Sequence, residues 1–157
     1  MANLHDFHGA LAADRWLSNA DSRQAVFFRS RIRQFAPSVA AHGSRVGFVA
    51  MMIDHGFAFN GPEWSFLSSP QFGLYPRRAV YQRVTGWQSF EPWLEQITYF
   101  PEKVMEAARR ELPPDWVEDD DDKLDALLEK LMRRRRDVAD SLKASRQWRE
   151  NPFPNWR

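Results

Sequence analysis

The chain contains no cysteine. That absence excludes a disulfide framework, a thiolate zinc site and a cysteine nucleophile, and it fits a reducing compartment. Long apolar runs are also missing. No uninterrupted stretch approaches the roughly 20 residues that a membrane-spanning helix needs. The first residues carry His5, Asp6 and His8 and do not read as a signal peptide, so a cytoplasmic chain without a membrane partner is expected. Charge of one sign is scarce as well: 22 Lys and Arg against 21 Asp and Glu leave a net charge of +1. Such a balance argues against nucleic acid held by phosphate attraction. The first lysine is Lys103, and Gly56-x4-Gly61 is followed by Pro62, so no Walker loop is present. Neither G-x-G-x-x-G nor the G-x-S-x-G elbow occurs, which removes a dinucleotide fingerprint and a serine-hydrolase nucleophile.

What is present points to one folded domain. The 157 residues are 27% charged and 43% hydrophobic, enough to bury a core and too few for two ordinary domains. Aromatic residues make up 14%, many beside Pro or Gly, as in Gly61-Pro62-Glu63-Trp64 and Glu91-Pro92-Trp93. Large rings bury much area per residue and can cement irregular loops onto a core.

Apolar spacing predicts a helix over 4–19, ended by a turn at Asn19-Ala20-Asp21-Ser22. Residues 25–29 and 45–53, rich in Val and Phe, read as paired strands, with a loop between them and Asp54-His55-Gly56 ending the second. Residues 56–76 carry Gly, Pro, Asn and Ser at short intervals and should be mostly loops. Three short helices are predicted over 77–84, 90–98 and 101–110, with Pro101 in a first turn. One long helix follows, with Leu124, Leu127, Leu128, Leu131, Val138 and Leu142 on a single stripe. Its acidic start and its arginines at 133–136 suit the helix dipole and read as a solvated face. Residues 146–157 are expected to be a loosely docked tail.

Asp14, Asp21 and Asp54 are three of nine acidic residues before Glu111. Asp21 falls between a helix and a strand, and Asp54 sits where the second strand ends. Two loop carboxylates meeting across a hairpin would suit Mg²⁺, which takes one or two carboxylates with phosphate oxygens and waters. The competing reading is that both acids merely cap turns. His5, His8 and His55 lack the spacing of a zinc site.

Asp14-Arg15-Trp16-Leu17-Ser18-Asn19-Ala20-Asp21, followed by a strand and then Met51-Met52-Ile53-Asp54-His55-Gly56, resembles the carboxy-terminal lobe of HipA-like kinases. That family belongs to the protein-kinase-like group that includes phosphatidylinositol 4-kinases. The resemblance covers roughly 4–145. It implies an α+β, mainly helical, kinase-like C-lobe over 1–145 with a small β-hairpin carrying the catalytic and metal-binding loops. It also implies ATP- and Mg²⁺-dependent phosphoryl transfer to a serine/threonine-type protein hydroxyl or a small-molecule hydroxyl. Asp21 would match the catalytic-loop aspartate and Asp54 the aspartate that holds Mg²⁺. Asn19 would match the loop's leading Asn, and Gln24 would offer an amide oxygen to the bound cofactor.

The family's second metal-binding Asn would fall at 26, where this chain has Val26. A different phasing makes Asp14 the base and Asn19 the metal ligand. No amino-terminal lobe precedes the motif, so the expectation is a fragment of a longer kinase or a chain completed by a partner. The alternative is a non-catalytic, kinase-fold interaction module. Arg23, Arg29, Arg31 and Arg33 lie near the catalytic loop, where they could meet an acidic substrate or phosphate; the favoured reading is that they are solvated loop arginines.

Overall fold

Phe7, Leu11, Ala12 and Trp16 place one apolar face on a helix at 3.6-residue spacing, and that helix is α1, Asp6–Leu17. The computed structural model describes residues 1–31, 46–118 and 120–157 of the chain. Helix α1 ends two residues before the sequence suggests, because Ser18 turns left-handed (φ 53°) and the Asn19 N–H donates back to the Asp14 carbonyl at 2.9 Å. Gly9 lets a second helix approach closely: a Cβ there would lie 2.4 Å from the Trp93 ring.

The paired strands are β1, Gln24–Arg31, and β2, Val46–Ile53, antiparallel in a register running from Gln24↔Ile53 to Arg31↔Val46. Strand β1 extends past both expected ends. The loop expected between the strands lies, from 32 to 45, outside the described residues. Ala2 and Asn3 run along the outer edge of β2. The Ala2 N–H donates to the Phe48 carbonyl, and the Asn3 amide exchanges bonds with the Ala50 backbone. That contact covers an edge that would otherwise present unpaired peptide groups.

Residues 56–76 form irregular chain with a short 3₁₀ segment at Ala58–Glu63, as their turn residues suggest. The helix expected over 77–84 is reduced to one 3₁₀ turn, Arg78–Tyr81. Val84 donates to the Tyr81 carbonyl instead of that of Val80, which lies 3.3 Å from Nε2 of His8. A second 3₁₀ turn, Trp87–Phe90, precedes α2, Trp93–Thr98, so Phe90 falls outside the helix. Helix α3 is Glu102–Glu111, with Pro101 just before its first turn in extended conformation.

The long carboxy-terminal helix is two helices, α4, Asp121–Arg134, and α5, Val138–Gln147. Leu131 and Val138 are seven residues apart, so the apolar stripe keeps its face across the break and does not reveal it. Arg134 and Arg135 turn inward at the break and donate to the carbonyls of Arg15, Trp16 and Phe100. Leu124, Leu127, Leu131, Val138 and Leu142 are all buried.

The tail corrects a further expectation. Phe153 is 0% exposed, with ring centroids 5.8 and 5.7 Å from Tyr81 and Phe90, and Trp156 packs beside it. The end of the chain is a wall of the core. Among the described residues the architecture is α+β, with helices and irregular aromatic segments packed on α1 and a two-stranded antiparallel sheet. No described helix is long and apolar enough to cross a membrane.

Candidate functional site

The register that pairs Gln24 with Ile53 brings two loops to one end of the hairpin. One is 18–23, leaving α1; the other is 54–57, leaving β2. Asp21 sits half-buried on the first and Asp54 exposed on the second. The two candidate acids therefore share one end of one element, as the spacing suggests.

Asn19 is 2% exposed, and both ends of its amide are engaged. Its Nδ2 donates to Asp14 Oδ1 at 3.0 Å, and its Oδ1 accepts from the Asp21 backbone N–H at 3.4 Å. Its part is to hold the loop's shape. Asp21 Oδ1 accepts the Ser22 N–H at 2.7 Å. The Asp21 carbonyl accepts from Gly73, whose φ of 68° and whose approach to Asp14 (2.3 Å from a Cβ placed there) leave no room for a side chain. A distant loop thus buttresses the Asp21 turn.

Asp54 adopts φ 59°, in the left-handed region that Asp tolerates better than most residues. Its Oδ2 accepts from Gln24 Nε2 at 2.7 Å, and its Oδ1 makes only a long bond, 3.4 Å, with the Gly56 N–H. The Gln24 amide oxygen bonds nothing among the described residues. Asp54 Oδ1, the second Asp21 oxygen and Gln24 Oε1 are hard oxygen donors of the kind that suits Mg²⁺. Among the described residues no group of three or more His, Cys, Asp or Glu could cage a metal. A Mg²⁺ site that is completed by phosphate and water does not require one.

Between the two loops lies Arg23, 3% exposed. Its Nε donates to Asp14 Oδ2 at 2.8 Å, and its Nη2 donates to Asp14 Oδ1. Its Nη1 reaches the Ile53 and Asp54 carbonyls, each at 3.2 Å, and His55 Nδ1 at 3.0 Å. Arg23 is therefore a buried strut tying α1 to both loops. It is neither the solvated loop arginine nor the substrate-facing cation that its place in the sequence suggests. Asp14 is 1% exposed and fully engaged, which removes it as an alternative base. Arg29 and Arg31 are exposed on β1, and Arg33 lies outside the described residues. A signal for the strut was available: Asp14 continues the Phe7–Leu11 stripe, and a carboxylate on an apolar helix face requires a buried partner.

Val26 pairs with Met51 across the hairpin and is 40% exposed. It presents an apolar surface where the family resemblance calls for an amide. His5 and His8 both point toward the Ser89 carbonyl, at 3.1 and 3.0 Å, far from these loops.

No family model, curated protein or solved structure matches the chain. The geometry of the two loops is what remains to be read.

Proposed function

We propose that the chain is the catalytic-loop half of a HipA-like, kinase-type phosphotransferase acting on a protein or small-molecule hydroxyl. In this reading Asp21 orients the acceptor hydroxyl and takes its proton. Asp54, with Gln24 beside it, holds Mg²⁺, which neutralises charge on the ATP phosphates when bound. Phosphoryl transfer of this kind is mostly positioning and charge neutralisation, so two well-held carboxylates carry much of it. A second lobe, from a partner chain or another segment, would grip the nucleotide, and the setting would be cytoplasmic.

The observation that carries the reading is the arrangement at the hairpin end. Asp21 and Asp54 come from loops about thirty positions apart. One buried guanidinium ties the Asp54 loop to α1, and the Gln24 amide touches Asp54 directly. Val26 favours a second reading, a kinase-fold interaction module without turnover, because an exposed apolar side chain offers a metal no oxygen.

Mn²⁺ titration of the protein, read by water-proton relaxation, tests the metal assignment without requiring the second lobe. Asp54 is exposed, so Asp54→Asn should weaken Mn²⁺ at least about tenfold, the effect of roughly 1.4 kcal/mol, with an unchanged melting temperature. Asp21→Asn should retain Mn²⁺ and, with the second lobe supplied, lose phosphoryl transfer. Equal Mn²⁺ affinity in wild type and Asp54→Asn overturns the metal assignment. A wild type that binds no Mn²⁺ leaves the interaction module.

A further inference from the structure

Helix α3 is amphipathic and buries none of its residues. Met105 from α3 and Leu128 and Met132 from α4 form the floor of a groove of about 550 Å³ between the two helices. Leu128 and Met132 flank the stripe of Leu124, Leu127 and Leu131 that α4 gives to the core. The three floor residues are half-buried, Met105 and Leu128 partly against the core, and each still shows apolar surface in the groove. Methionine suits such a floor, since its unbranched thioether adapts to differently shaped partners.

The rim has a definite sign. Two arginines line it, and each already has an acidic partner. Arg109 bonds Asp125 at 2.5 Å and Asp121 at 3.0 Å, and Arg133 lies 3.7 Å from Glu129. Glu102 and Glu106, one turn apart on α3, line the same groove and are exposed. Neither has an ion pair among the described residues. With Asp125 and Glu129 the lining holds four acids against two bases.

We propose that this groove seats a basic amphipathic helix of a partner protein, its apolar face on Met105, Leu128 and Met132 and its cations against Glu102 and Glu106. Helix α4, at 14 residues, is about 21 Å long, enough for three to four turns of an occupant. The mode is helix-in-groove recognition, with the apolar floor giving affinity and the unpaired acids giving the partner's sign. The inference is independent of the phosphotransferase reading, since none of its residues belongs to the hairpin-end site.

The test uses a fluorescein-labelled 18-residue peptide of leucine and lysine with its leucines on one helical face. Two controls accompany it, one of the same composition with the leucines scattered and one with glutamate for lysine. Fluorescence anisotropy should show binding of the first peptide, with both controls at least tenfold weaker. The double variant Glu102→Gln/Glu106→Gln should weaken it about tenfold, as two lost exposed ion pairs would, and Met105→Gln should abolish it. These positions are exposed or half-buried, and an unchanged far-UV circular dichroism spectrum shows that the variants fold. No binding, equal binding of the scattered peptide, or indifference to the glutamine pair overturns the proposal. Light scattering that shows a wild-type dimer made monomeric by the glutamine pair overturns it too, because a second copy then fills the groove.

Discussion

Arg23 reaches three segments at once because a planar guanidinium has five N–H donors in fixed directions. Nε and Nη2 meet the Asp14 carboxylate as a fork, and the two hydrogens of Nη1 are shared among the Ile53 and Asp54 carbonyls and His55 Nδ1. Burying this pair removes both charges from water, and their mutual attraction offsets that only while both are present. Arg23→Met should therefore destabilise the fold by about 3–5 kcal/mol by stranding the Asp14 carboxylate. The double variant Asp14→Leu/Arg23→Met should be more stable than Arg23→Met alone. Urea unfolding of the wild type, Arg23→Met, Asp14→Leu and the double variant checks this, and losses that simply add would refute the strut. Lysine at 23 should not restore stability, since an ammonium cannot make the forked contact.

Among the elements, α1 organises its neighbours through side chains that cross gaps. The Trp16 indole N–H donates to the Leu131 carbonyl at 2.9 Å, and Gly9 admits the Trp93 ring. His8 holds α1 against two 3₁₀ turns, with Nδ1 3.0 Å from the Ser89 carbonyl and Nε2 3.3 Å from that of Val80. A neutral imidazole has one N–H and so satisfies only one of these oxygens. Protonation would satisfy both, but burial disfavours the cation more strongly and lowers the His8 pKa below 6.5, with the neighbouring His5 adding to the effect. The folded state thus binds this proton less readily than the unfolded chain. Below about pH 6.5 the unfolded state gains the proton first, so this contribution is full above pH 6.5 and declines as pH falls. Unfolding free energy measured from pH 7.5 to 5 should fall on the acid side, and His8→Gln should flatten that slope. An unchanged slope would place the acid sensitivity elsewhere.

At the scale of the whole molecule, the last residues close the core. Phe153 meets Tyr81, Phe90 and Trp156, and Trp156 stands edge-on to Trp87 at 4.8 Å. The Arg157 N–H reaches the Thr85 carbonyl. Phe153→Ala should cost about 3–5 kcal/mol, the range for emptying a buried ring site. Thermal unfolding would show it, and a loss below about 1 kcal/mol would mean that the tail docks without supporting the core. Burial of the Tyr81 phenol, pushed up to about 12, marks how closed this wall is.

Local pattern alone determined α1, the hairpin and the apolar stripe of α4 and α5, because each is written as a period of 3.6 or 2 over consecutive residues. It also placed Asp21 and Asp54 at loop positions, and pairing two adjacent strands was enough to bring those loops together. Tertiary structure decided the rest. The break at 135–137 left the stripe in phase, so no periodicity betrays it. The 77–84 segment lost its helix to contacts with α1, which is distant in sequence. Phe153 and Trp156 sit among Pro and Asn that read locally as a loose end, and only the cavity they fill makes them core. The Asp14–Arg23 pair is decided there too. A charge on a helix face shows that a partner is required, but eight intervening residues and a left-handed Ser18 settle which one it is.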